Sequence, residues 1–434
     1  MNNDSRPVDP PGYLPRVVDP EIQELLRIYG AVEITGTKWC GKTWTARHHG
    51  SSIIYLDVAN NRQRAEAAPE SILQGLSPRV IDEWQTVASL WDTVRHSVDE
   101  RSPQRGLYIL TGSSTPPHDI NRHTGVGRIG RVHMMPMTLY ESERPSFTVS
   151  LTGLFAGEFS PGYNPMNLQT MTNLICRGGW PGTIGFDADS ALRISRDNVE
   201  ATLTISAPAH GKDTGTARRL LTSISRNLGQ AVTHKTLLTD MYGAEDNPED
   251  YVTAASIASY LDFLSSMFVL LPISGWMPPA RSPKRFRTKP RYYLTDPSLA
   301  VAILGMNATA LIEDFQTLGL LFENLVIRDL SVFARALPHS TPNPVHYYHD
   351  DSGLEVDAII ETADGAWAAC EIKLGENKVD TAAANLLRFE KKVTSNANAR
   401  VKAPSFLAVI VGLGDTAYRR NDGVYVIPIH CLAP

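Results

Sequence analysis

Gly36-Thr37-Lys38-Trp39-Cys40-Gly41-Lys42-Thr43 is a complete G-x-x-x-x-G-K-[ST] phosphate loop, and its reading decides the fold of this chain. Ala31-Val32-Glu33-Ile34-Thr35 before it is a β-type run ending at the glycine, and Lys42 to His49 after it can start a helix. In that strand–loop–helix setting, successive backbone N–H groups turn toward one anion at a helix N-terminus. Gly36 and Gly41 permit the angles this requires; Lys42 is placed to reach β- and γ-phosphates, and the Thr43 hydroxyl to ligate Mg²⁺. Thr37, Lys38, Trp39 and Cys40 inside the loop, and Trp44 just beyond it, complete the cradle expected for ATP.

Downstream, Ser77-Pro78 closes a loop, and Arg79-Val80-Ile81-Asp82-Glu83 reads as a buried strand ending in two carboxylates. Asp82 suits a magnesium ligand and Glu83 the polarisation of an attacking water. Leu107-Tyr108-Ile109-Leu110 leads into Thr111-Gly112-Ser113-Ser114, whose tip puts Ser113 where a sensor would test the γ-phosphate. Gly127-Arg128-Ile129-Gly130-Arg131 precedes another β-type run, Val132 to Met135. Arg128 reads either as part of a solvated turn or as an arginine finger reaching a neighbouring subunit's γ-phosphate, with Arg131 as fallback. A finger acting in trans implies a homo-oligomer.

The 434 residues suggest two or three domains, and 42% hydrophobic with 20% charged residues describes a globular chain with ample core. A net charge of −5 argues against a generally basic nucleic-acid coat, so any such contact is local. Cys40, Cys176, Cys370 and Cys431 lie far apart without a C-x-x-C pair; neither a zinc site nor a disulfide framework is indicated, and a reduced, cytoplasmic setting fits. Met1 to Pro20 is polar and proline-rich without an apolar core region, and no apolar stretch of about 18 residues exists, so no membrane association is expected.

Along the chain, residues 1–20 read as a flexible or loosely docked arm, and 21–143 alternate helix and strand patterns as a doubly wound parallel sheet does. Residues 144–216 look like a helical lid or connector. Residues 217–300 read as two helices and a β-type hairpin, a winged-helix-like segment. Between the hairpin strands, Arg281, Lys284, Arg285, Arg287, Lys289 and Arg291 put six cations within eleven residues: a solvated loop, or a contact to DNA phosphates without sequence readout.

In residues 301–434, Leu354 to Ile360 and Cys370-Glu371-Ile372-Lys373 are β-type runs joined by the turn Thr362-Ala363-Asp364-Gly365. Folding that hairpin gathers Asp357, Glu371 and Lys373 at one edge, the last two on one face by the period-two rule. Two carboxylates can chelate a hard divalent ion, Mg²⁺ or Mn²⁺, and a lysine can orient a water near it. With Glu323, in the helical stretch Gly319 to Val326, they form the layout of a metal-dependent phosphodiesterase; a cross-strand Asp/Lys pair in an ordinary hairpin reads equally well.

The succession of phosphate loop, Asp82-Glu83-Trp84-Gln85, Leu110-Thr111-Gly112-Ser113, Gly127-Arg128, Pro136 to Glu141, Gly178-Gly179-Trp180-Pro181, Tyr293-Leu294-Thr295-Asp296, Phe322-Glu323-Asn324 and Glu355-Val356-Asp357 resembles a widespread bacterial and archaeal family. Its members are AAA-type ATPases with an uncharacterised C-terminal domain that resembles the PD-(D/E)XK nuclease fold. The loop interior Thr37 to Cys40 departs from the proline-arginine-glutamine type run common there. The resemblance implies an α/β chain: a P-loop parallel-sheet ATPase core, a helical lid, a winged-helix-like segment and a C-terminal α/β restriction-endonuclease-like domain. It implies Lys42 and Thr43 for nucleotide and magnesium, Asp82 and Glu83 for metal and hydrolysis, Ser113 as sensor and Arg128 as the finger in trans. For the nuclease-like end it implies Glu323, Asp357, Glu371 and Lys373. The expected function is ATP binding and hydrolysis coupled to a domain that binds or cleaves DNA; a nucleotide-gated switch and a protein-remodelling ATPase are the alternatives.

Overall fold

The computed structural model describes residues 8–113, 124–145, 148–243, 252–278, 289–395 and 401–434. The chain divides into two units, one of residues up to Pro136 with Trp180–Gly182 and Ser266–Phe268, the other of Met137–Gly179, Thr183–Ser265 and Val269–Pro434.

In the first unit, strands β1 (Ala31–Thr35), β2 (Ser52–Tyr55), β3 (Arg79–Asp82), β4 (Tyr108–Gly112) and β5 (Ile129–His133) form a parallel sheet in the order β2-β3-β4-β1-β5. Side chains alternate across it. Val32, Ile34, Val80 and Ile109 pack with Ile22 of helix α1 (Asp19–Ile28) and Ala46 of α2 (Lys42–His49). Ala31, Ile81, Tyr108 and Leu110 pack on the opposite face with Ala65 of α3 (Ala59–Ala67) and Trp91 and Val94 of α4 (Leu90–Glu100). Strands covered on both faces need mostly apolar runs, which β1 to β4 supply outside Glu33 and the polar strand ends. The strand order inserts β4 between the loop-bearing β1 and the acidic β3, so the three strand ends that carry polar groups are neighbours.

The N-terminal arm is not loose over its described part. Arg16 is buried and its guanidinium donates to the carbonyls of Cys40 and Met135 at 2.9 and 2.8 Å. Tyr13 donates to Asp19 at 2.8 Å and stacks on His48 at 4.2 Å, while Arg47 donates to the Val8 carbonyl. Polarity and prolines suggested a flexible or loosely docked segment; Tyr13, Arg16 and Arg47 dock its described part.

The second unit opens with the short helix Leu139–Glu143, followed by β6 (Val149–Ser150) and, further on, the helices Leu168–Arg177 and Ala188–Ala201. Three helices, Thr214–Arg226, His234–Tyr242 and Ala254–Ser266, one more than expected, precede an antiparallel hairpin of β7 (Leu270–Ile273) and β8 (Arg291–Leu294). The cations Arg281, Lys284, Arg285 and Arg287 lie outside the described residues. Arg291 does not belong to a DNA-facing loop: it is 3% exposed, paired with Glu355, and its guanidinium lies 4.3 Å from the Tyr347 ring centre.

The long helix Phe315–Arg335 leads into β9 (Ser340–His349), β10 (Glu355–Thr362) and β11 (Trp367–Gly375), an antiparallel meander. The helix Val379–Thr394 then crosses to β12 (Phe406–Leu413), parallel to β11, followed by β13 (Tyr418–Arg419), β14 (Tyr425–Pro428) and β15 (Leu432–Ala433), which pairs with β6. The sheet order is β13-β14-β12-β11-β10-β9. Val379, Ala383, Leu386 and Phe389 of the crossover helix pack on Ile359, Trp367, Ala369, Val409 and Val411. Among the described residues no helix is long and apolar enough to cross a membrane, and the four cysteines are buried and unbridged.

At the centre of this unit Arg328 is 1% exposed and pairs with Asp296 and Asp329, each at 2.7 Å. The second oxygen of Asp329 accepts from the Leu139 amide at 2.9 Å; Asp296 accepts from the amides of Gly179 and Ser298 at 2.8 and 2.9 Å. Burial raises the Asp329 carboxyl to about 6 even with Arg328 and that amide opposing it. Arg328→Met leaves two buried carboxylates without their cation, at a cost of about 3–5 kcal/mol. The urea midpoint of the full chain should fall accordingly, and an unchanged midpoint would remove this network from the account of stability.

Candidate functional site

The phosphate loop is shaped by contacts that leave no room for larger residues. A Cβ on Gly36 would lie 2.1 Å from the Met134 carbonyl oxygen, and Gly41, at φ 101°, starts α2 from the left-handed region. Lys42 is buried and its Nζ donates to the Thr37 carbonyl at 2.8 Å, which holds the ammonium across the loop. The unusual interior divides its tasks: Thr37 and Cys40 are buried, Cys40 within the apolar cluster, while Lys38 is half-buried and Trp39 and Trp44 are 60% and 46% exposed.

The Thr43 hydroxyl donates to Asp82 Oδ1 at 2.8 Å, and Thr111 Oγ1 donates to the same oxygen at 2.5 Å. Burial raises the pKa of Asp82, against the two hydroxyls that favour its ionised form. Hydroxyl and carboxylate oxygens form the hard donor set that Mg²⁺ prefers, so the residues present fit that ion. Glu83 adopts a left-handed conformation, φ 56°, rare for a residue with a side chain and of the kind stored at functional sites. Its carboxylate accepts from Ser113 Oγ at 3.1 Å and from Gln85. Strand β4 and the residue after it therefore supply two polar contacts: Thr111, which sequence reading left without a role, to Asp82, and Ser113 to Glu83.

The arginine candidates are both occupied within their own chain. Arg128 lies at the N-terminal edge of β5, its carbonyl accepting from the Ala31 amide, and so at the end of the sheet away from the loop that follows β1. Its side chain is 44% exposed and pairs with Asp99 at 2.8 Å. Arg131 pairs with Glu33 at 3.0 Å and lies over the Trp91 ring.

In the second unit the hairpin brings Asp357, Glu371 and Lys373 together. Register Ala358↔Cys370 sets Asp357 beside Glu371, and Lys373 Nζ lies 3.0 Å from Asp357 and 2.6 Å from Glu371. The register against β9 slips between Val356 and Ile359, inserting one extra residue at Asp357, the bulge geometry that re-aims side chains. Asp357 also accepts from the Ile372 amide at 2.8 Å. Glu323 accepts from Tyr293 at 2.6 Å. Burial and the Asp357 charge raise the pKa of both Glu323 and Glu371 well above the usual carboxylate range. Burial alone would lower Lys373, but Asp357 and Glu371 outweigh it and keep the ammonium charged. Tyr293 and the bulge were not legible as parts of this cluster; the tyrosine stood only within the motif Tyr293 to Asp296.

Residues 29–143 match an AAA domain family, 168–310 a domain of unknown function (DUF8612) and 318–432 another domain of unknown function (DUF4143). The first match agrees with the loop and the strand order in giving this chain an AAA-type P-loop core. Uncharacterised proteins of Mycobacterium tuberculosis and Mycobacterium bovis are each 25% identical over 342 residues, covering 76% of this chain and 67% of theirs. Among solved structures, a Walker-type ATPase of Pyrococcus abyssi is 13% identical with a TM-score of 0.46, over 69% of this chain and 99% of that one. The Orc1 protein of Aeropyrum pernix, solved in complex with DNA, is 16% identical with a TM-score of 0.26, over 71% and 96%.

Proposed function

We propose that this protein hydrolyses ATP at the phosphate loop and that its C-terminal domain binds or cleaves DNA under the control of that nucleotide. The observation that carries the first half is the convergence of Lys42 and Thr43 after β1 with Asp82 and Glu83 at the end of β3, with Thr43 and Asp82 already hydrogen-bonded. Mg²⁺, when bound, would be held by Thr43 and Asp82 and would neutralise charge on the phosphate oxygens. Lys42 exchanges its loop carbonyl for the β- and γ-phosphates, and Glu83 orients the attacking water. Ser113, bonded to the Glu83 carboxylate, senses whether a γ-phosphate is present.

The second half is supported by Asp357, Glu371, Lys373 and Glu323, gathered on a helix, two antiparallel strands and a bulge. In this reading residues 144–216 are the lid, 217–300 the winged-helix-like relay and 301–434 the nuclease-like end of a cytoplasmic homo-oligomer. The ion pairs of Lys373 with both carboxylates favour a second reading, since the ammonium supplies the charge that a divalent ion would supply. That reading is a non-catalytic, nucleotide-gated switch that binds DNA or protein. ATP turnover with and without duplex DNA tests the coupling: stimulation supports it, and indifference moves the weight to remodelling of a protein partner.

Lys42→Ala removes the cation facing the phosphates, so ATP affinity should fall strongly in a calorimetric titration. Glu83→Gln should bind like the parent and fail to turn over, because Asp82 remains. Parent-like affinity in the Lys42 variant would sink the site assignment.

If Arg128 leaves Asp99 to reach a neighbour's γ-phosphate, specific ATPase activity should rise with protein concentration, and Arg128→Ala should lose rate while keeping affinity. Activity that stays flat on dilution, with a monomeric mass throughout, would exclude a finger in trans.

Mn²⁺ should raise the melting temperature of the full chain by mass action, and Asp357→Ala should lose part of that increment together with metal-dependent nicking of DNA. An identical increment in parent and variant, without nicking by either, would leave the switch as the better description.

A further inference from the structure

We infer, resting on the phosphodiester reading of the carboxylate cluster, that the cavity beside it is a nucleic-acid backbone site in which Lys378 and Arg388 hold two phosphates of one strand, about four steps apart, with the reacting one between them. The cavity has a volume of about 570 Å³; Glu371 and Lys373 form one wall, and Lys378, Thr381, Asn385 and Arg388 another. The crossover helix Val379–Thr394 buries Val379, Ala383, Leu386 and Phe389 against the sheet. Lys378, Thr381, Asn385 and Arg388 recur at helical spacing and form its cavity-lining stripe. Trp367 and Ala369 lie in the cluster that this helix packs on, and strand alternation puts Glu371 and Lys373 on the same face, at the end of the apolar contact. One surface thus runs from the carboxylates onto the helix.

The charges on that surface are arranged for an extended anion. Lys378 is exposed and has no ion-pair or hydrogen-bond partner among the described residues; Arg388, also exposed, donates to Asn385 Oδ1 at 2.9 Å. Asn385 in turn donates to Glu371 Oε1 at 2.6 Å, which joins the stripe to the carboxylate cluster. The nearby acid Asp380 is engaged by Arg420. At 1.5 Å per residue, Lys378 and Arg388 are about 15 Å apart along the helix, too far for one phosphate group to bridge. A nucleic-acid strand, with a phosphate about every 3.4 Å of rise, spans that distance in roughly four. With Asn385 between the cations, nearer Arg388, a backbone that meets both passes the carboxylates on its way. In a chain of net charge −5, such a local pair is what confines a polyanion to one track.

The test is an anisotropy titration of the full chain with a fluorescein-labelled DNA duplex in EDTA, so that binding is read without cleavage. Lys378→Gln with Arg388→Gln should weaken binding about tenfold or more and make the slope of log affinity against log salt shallower by about 1.8, two phosphate contacts' worth. Lys378→Glu with Arg388→Glu should weaken it further, and the melting temperature should not move in either. Affinity and salt slope like the parent's in both variants would overturn this site even if the chain cleaves DNA. No binding of DNA by the parent would overturn the phosphodiester reading and this site together.

Discussion

Much of the second unit depends on a single buried cation. Arg328 projects from the long helix Phe315–Arg335 between Asp296 and Asp329, and these carboxylates spend their other lone pairs on the amides of Leu139, Gly179 and Ser298. Segments far apart in sequence thereby meet at one ion-pair network from which water is excluded. The geometry is what makes this tolerable: a buried ion pair offsets its desolvation only when the remaining donors and acceptors are satisfied. Arg328 lies five residues from Glu323 on the same helix, and the Glu323 carboxylate is held in turn by the Tyr293 hydroxyl.

A comparable economy governs the nucleotide site. One oxygen of Asp82 receives the hydroxyls of Thr43 and Thr111, so the loop helix, the acidic strand and the strand between them are registered through a single acceptor. Because β4 is inserted between β1 and β3, Ser113, which follows β4, and Glu83, which follows β3, are in hydrogen-bond contact. Arg16 ties the same loop from outside by capping the carbonyls of Cys40 and Met135. The exposed Trp39 and Trp44 take no part in this; the loop's unusual interior is accommodated by turning the large rings out and burying Thr37 and Cys40.

In the C-terminal sheet, electrostatics sets two opposed demands. Asp357, Glu371 and Glu323 repel one another in a poorly solvated place, which raises the pKa of both glutamates, and Lys373 relieves part of that strain by pairing with two of the three. A cluster balanced in this way can accept a divalent ion in exchange for protons or lysine contacts, or it can remain a structural ion pair.

The sequence by itself determined the features that rest on local spacing. The phosphate loop needs glycines at fixed positions, Asp82 and Glu83 end an apolar strand, and the 355–375 hairpin needs its turn residues and period-two alternation. Each is a rule about neighbours in the chain. Only the tertiary structure decided the rest: that Arg291 is buried against Glu355 and Tyr347, that Arg16 and Tyr13 dock the arm, that Thr111 shares the Asp82 carboxylate, and that a bulge sets the place of Asp357. Burial and partner choice depend on residues tens to hundreds of positions away, and a cation in a loop and a cation in a core are the same letter until the chain is folded around it.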